Sequence, residues 1–141
     1  MAAPIQLSRR VLAVLDDRVA ADRAAAAARK AGARVVERFE GNEAADTIDA
    51  TGRRRGLVAR VGRAVQFSVE DQMPALAWYE AALREGRTVL AVPTSSRDQT
   101  LAVVAALQGE GGHFINRFGR LDTEEFARWR GPEPSVPSLL R

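Results

Sequence analysis

Val11-Leu12-Ala13-Val14 and, much later, Val89-Leu90-Ala91-Val92 are two apolar runs that decide how this chain folds. Each is followed by a stretch of helical spacing, a glycine (Gly32, then Gly111) and a second segment ending in phenylalanine (Phe39, then Phe118). Superposing the first runs pairs Val11 with Val89 and Ala13 with Ala91. One residue inserted in the helix then pairs Gly32 with Gly111, Arg38 with Arg117 and Phe39 with Phe118. Strand, helix, strand, stated twice, is the sequence form of two βαβ units. The repeat predicts one α/β domain over residues 1–130, with halves at 10–40 and 88–119, a helical insertion at 42–86, and a proline-rich tail at 131–141.

Side-chain alternation carries this further. Val11, Ala13 and Leu15 point to one face of the first strand, and Leu12 and Val14 to the other. Both faces are apolar, so the sheet needs a cover on each side. The two repeat helices cover one side, and either the linking segment or a second copy of the chain covers the other. Asp16-Asp17 caps the first helix and Gly32 ends it. Its stripe of Ala20, Ala24, Ala27, Ala28 and Ala31 allows close approach, whereas the second helix, about Asp98 to Leu107, carries the bulkier Thr100, Val103, Val104 and Leu107. Leu57, Val58, Val61, Ala64 and Val65, then Leu76, Tyr79 and Leu83, make the link helical; its last helix starts at Ser68 or with Pro74 in the first turn, and stops at Gly86. Asp122 to Trp129 reads as a short helix with Phe126 and Trp129 on one side. These pieces favour an α+β, ferredoxin-like sandwich with a helical insertion, and the alternative is a small doubly wound α/β sheet.

Composition bounds the function. The chain has 141 residues, enough for one real core, and no cysteine, which excludes disulfides, a thiol nucleophile and thiolate metal ligation. A reducing, cytoplasmic setting is expected. The first ten residues lack the apolar core of a signal peptide, and no apolar run approaches the roughly 18 residues of a membrane span, so no membrane insertion is expected. The net charge of +3 is carried by arginine, with Lys30 the only lysine, and is spread among 18 acidic residues. That balance does not describe a dedicated nucleic-acid binder.

Tyr79, Leu83 and Gly86, then Val89 to Val92, preceded by a glycine-spaced stretch with Gly52, Gly56 and Gly62, resemble the domain of the bacterial heat-induced general stress proteins. The resemblance covers about the middle third of the chain. It implies a small cytoplasmic stress-associated α/β protein and transfers no catalytic residues.

Candidate sites are few. Arg53, Arg54 and Arg55, with Arg60 and Arg63, form a basic amphipathic stretch that suits RNA phosphate, an anionic membrane surface or an acidic partner, or is a solvated face; only Phe67 offers a ring for stacking. His113 is the only histidine, which excludes sites needing two; it is either a hydrogen-bonded strand residue or a general base or single ligand. Glu37 and Asn116 occupy equivalent repeat positions between apolar neighbours, marking a pseudo-twofold ligand pocket, an interface rim or open edge positions. Ser95-Ser96 and Asp98 form an N-cap cluster whose amides suit an anion. Glu43, Asp46 and Asp49 lack the EF-hand spacing, and Gly109, Gly111 and Gly112 follow a helix rather than open one, the wrong order for a phosphate loop. No metal and no cofactor is expected. The resulting expectation is a non-catalytic, self-associating binding or scaffold protein with a ligand near Glu37, His113 and Asn116, and with a tail that docks a partner or frays. Its rivals are a dimeric cofactor-binding protein or enzyme using His113, and an RNA or ribosome contact through Arg53 to Arg63.

Overall fold

The computed structural model describes residues 8–48, 73–119 and 122–133. Among them, five strands form one sheet: β1 (Arg10–Leu15), β2 (Glu37–Glu40), β3 (Thr88–Pro93), β4 (His113–Phe118) and β5 (Thr123–Ala127). Their order is β2-β3-β1-β4-β5, and every neighbouring pair is antiparallel. Four helices accompany them: α1 (Arg18–Lys30), α2 (Gly41–Ile48), α3 (Met73–Arg84) and α4 (Arg97–Gly109). The class is α+β. Antiparallel ladders throughout exclude the doubly wound alternative, whose neighbouring strands run parallel.

The central strands explain the layering. Val11 to Leu15 and Val89 to Val92 are all buried, as their two-sided apolarity requires. Val11, Ala13, Leu15, Leu90 and Val92 pack against α1 and α4, where Ala21, Ala24 and Ala28 bring α1 close to the sheet. Leu12, Val14, Val89, Ala91 and Phe118 pack instead against Ala45 and Ile48 of α2 and Leu76, Tyr79 and Leu83 of α3. The second cover is therefore the linking segment itself. A second copy of the chain is not needed there, and the expected route to self-association through a bare sheet face is closed.

Local chemistry sets the element ends. Asp17 accepts the Ala20 amide at 2.8 Å and Ser96 accepts the Gln99 amide at 3.1 Å, each capping a helix of 13 residues. Gly32 and Gly111 then reverse the chain at φ of 109° and 90°, a conformation open to glycine at no steric cost.

The structure moves the expected alignment by one residue. Asp17 with Ser96, Gly32 with Gly111, and Phe39 with Phe118 share one constant offset, and both helices have the same length. Carried back into the first strands, that offset pairs Val11 with Leu90 and Ala13 with Val92, all on the α1–α4 face. The pairing of Val11 with Val89 sets residues on opposite faces of the sheet. Apolar strands look alike when slid by one position, but a one-residue slip exchanges the faces.

Residues 122–129 are also corrected, because they hold strand β5 rather than a helix. Phe126 and Trp129 have helical spacing, but in an extended chain residues three apart point to opposite faces. A bulge also interrupts the ladder, because Ile115 faces Ala127 and Asn116 faces Glu125, leaving Phe126 as the extra residue. Phe126 joins the α1–α4 side and Trp129 the α2–α3 side. Five residues on the edge of β4 gain a ladder that an isolated short helix could not match.

Candidate functional site

The α2–α3 face holds a buried polar network built around Tyr79. Its hydroxyl donates to the Phe114 carbonyl at 2.6 Å, with the Leu12 carbonyl also in reach at 3.1 Å, and it accepts from the Asn116 amide at 2.9 Å. Tyr79 is fully buried and Asn116 is 3% exposed. Burial pushes the Tyr79 phenol well above its usual range, and the Asn116 hydrogen bond opposes this only in part. The network pins a bulge, since Leu12 faces Asn116 while Val14 already faces His113. Phe114 sits at this bulge with φ of 46°, a left-handed conformation uncommon for an aromatic residue.

His113 is held on both ring nitrogens. Its Nδ1 accepts the Arg130 backbone N–H at 3.1 Å, and its Nε2 lies 2.7 Å from the Asp16 carboxylate. The ring therefore links the residue after β1 to the chain after β5. Trp129 packs its ring edge against His113 at 5.1 Å, with Arg87 over the indole at 5.1 Å. Both ring nitrogens of His113 are thus hydrogen-bonded within the protein, and the side chain is 1% exposed.

Glu37, His113 and Asn116 do not form one pocket. Glu37 and Asn116 do share one cross-strand row on one face, running Glu37, Ala91, Leu12, Asn116. Three strand spacings separate the ends of that row, roughly 14 Å at the usual interstrand distance. Glu37 reaches across β3 to an ion pair with Arg10, beside the small Ala91. Arg53, Arg54, Arg55, Arg60 and Arg63 lie outside the described residues, as does Asp49. Asp46 serves α2–α3 packing, accepting from Arg84 at 2.9 Å; Arg84 also pairs with the buried Glu80.

The open feature is a groove of about 980 Å³ at the far end of the central strands. Three chain segments wall it: Ser8 to Arg10 entering β1, Arg34 and Val35 between α1 and β2, and Ser95-Ser96 opening α4. Three arginines line it, and among the described residues none of its lining is acidic. Arg10 is committed to Glu37, whereas among the described residues no ion pair engages Arg9 or Arg34. Arg9 is fixed from its backbone, donating to the Phe118 carbonyl at 2.7 Å and accepting the Thr94 amide at 3.0 Å, with φ of 62°. Gln99 braces the opposite wall, donating to the Gly32 carbonyl and accepting from Ser95. The Ser95-Ser96 cluster is legible in the sequence, but Arg9 and Arg34 are not, because only folding sets the residues before β1 beside those after α1. The sequence signal for them is no more than a basic pair before the first strand.

Among the described residues no cluster of three or more metal-binding side chains occurs, and no helix is long and apolar enough to cross a membrane. No family model matches the chain, and neither a curated protein nor a solved structure matches it.

Proposed function

We propose that this protein is a non-catalytic binding module whose ligand is an anion held in the groove between β1, the α1–β2 connection and the start of α4. One observation carries the reading: Arg9 and Arg34, which have no acidic partner among the described residues, line a concave site whose described lining includes no acidic residue. Guanidinium groups bind phosphate and carboxylate in bidentate fashion, and like charges held together in a cleft favour an anionic guest. The first turn of α4 adds positive potential on the same side.

The finer fold and cellular setting belong to the same proposal. Setting β5 aside, the strand order is that of two interleaved βαβ halves, which supports a ferredoxin-like origin with an added edge strand and an added helical layer. A cytoplasmic stress-associated role rests on the resemblance of Tyr79, Leu83, Gly86 and Val89 to Val92 to the general stress proteins.

The test is titration with inorganic phosphate, followed by backbone amide NMR. Shifts should gather at Gly32, Arg34, Ser95 and Ser96, weaken with added chloride, and vanish in the Arg9→Gln/Arg34→Gln double variant. Shifts that persist in that variant would sink the assignment of the groove.

A further inference from the structure

We infer that the ligand of this groove is a phosphate monoester with an aliphatic body, an inference that rests on the anion-site reading above. Size comes first. A groove of about 980 Å³ lies at the top of the roughly 300–1,000 Å³ range of sites for organic ligands, so a bare phosphate would leave most of it to water.

The donors select phosphate over carboxylate. A carboxylate is satisfied by one guanidinium fork, whereas a phosphate monoester presents three terminal oxygens. The groove supplies Arg9 and Arg34, neither of them ion-paired among the described residues, and a hydroxyl, because Ser96 Oγ accepts the Gln99 amide and keeps its own proton to donate. Arg9 is anchored through both its backbone groups, so only its side chain has to be ordered on binding.

The lining also specifies the rest of the ligand. Val35 is 52% exposed, and of the large apolar side chains that stand out in solvent among the described residues it alone lies in the groove. Pro93 extends the apolar lining. Among the described residues no aromatic ring lines the groove, so a nucleobase finds no platform for stacking there. An aliphatic body over Val35 and Pro93, with its phosphate between Arg9 and Arg34, uses each of these features.

Calorimetry on the full chain with three probes tests the inference: inorganic phosphate, hexyl phosphate and hexanoate. Hexyl phosphate should bind at least tenfold tighter than inorganic phosphate, since removing a few methylenes from water supplies that factor, and tighter than hexanoate, whose carboxylate one guanidinium satisfies. Val35→Ser should bring hexyl phosphate down toward inorganic phosphate, and Arg34→Gln should weaken both phosphate probes alike. Equal affinity for hexyl phosphate and inorganic phosphate would overturn the aliphatic body while leaving the anion site standing. Hexanoate binding as tightly as hexyl phosphate would overturn the phosphate. If no probe binds, the inference and the anion-site reading fall together. Circular dichroism of each variant separates lost binding from lost folding.

Discussion

Glu37 and Asn116 occupy matching positions in the two halves of the molecule, on the same face and in the same cross-strand row, yet they meet opposite fates. Glu37 sits on β2, an outer strand with one free edge, and its carboxylate reaches Arg10 with a third of the side chain still exposed. Asn116 sits on β4, whose outer edge is taken by β5, and its amide is buried against Tyr79. The difference teaches that an added strand at the edge, together with the α3 side chain packed over it, converts a charge-tolerant edge position into one where only a neutral, fully bonded group fits. An ion pair near the surface keeps most of its hydration, whereas a lone charge packed between β4 and α3 loses it.

The sharpest way to break this comparison is to exchange the chemistry. Asn116→Asp should lose about 3 kcal/mol or more in denaturant unfolding, because it buries an uncompensated carboxylate. The deficit should shrink as pH falls and the introduced carboxyl takes up a proton. A loss as small as that of the matching change at Glu37 would show that β5 and α3 are not what separates the two positions.

Tyr79→Phe comes next, at about 1–3 kcal/mol, since it leaves the Asn116 amide and the Phe114 carbonyl without their shared partner. The same residue gives a pH signature. Its phenol is raised in the folded state, so the stabilisation is complete below the unfolded value of about 10 and is lost as pH rises above it. Tyr79 is the only tyrosine, so phenolate absorbance should appear only as the protein unfolds. Ionisation of the phenol while the fold persists would contradict a buried, bonded Tyr79.

His113→Ala should cost about 1–3 kcal/mol by leaving the Arg130 amide and the buried ring site unfilled. Hydrogen exchange should then speed up most in β5 and the residues after it. A uniform change across the sheet would instead place His113 in the global core.

Glu37→Gln closes the series, with an expected loss below about 1 kcal/mol that fades in high salt. A loss above that of Tyr79→Phe would mean that the edge pair with Arg10 matters more than the buried network.

The fold was readable where periodicity was strong and ambiguous where it was short. Two-sided burial of Val11 to Leu15 and Val89 to Val92, the capped helices and the turns at Gly32 and Gly111 all follow from local chemistry that any chain with these residues must obey. The strand at Thr123 to Ala127 was not readable, because five residues with one aromatic, Phe126, set no period of their own, the spacing to Trp129 beyond them suggests a helix, and only the edge of β4 decides otherwise. The same holds for the candidate site. Asn116 could be singled out as a polar residue in apolar company, but its partner Tyr79 comes from a distant helix and reads in sequence only as core. Arg9 and Arg34 carry no mark of their own.

By itself, then, the sequence determined the strands that must be covered on both faces, where the chain turns, and which chemistries lack the necessary residues, because each of these depends on neighbours a few positions apart. The tertiary structure alone decided that the linking segment supplies the second cover, that β5 and α3 bury Asn116 while Glu37 stays at an edge, and that Arg9, Arg34 and Ser96 line one groove. Those outcomes depend on which distant segments meet, and that is set by competition among many weak contacts across the whole sheet rather than by any local pattern.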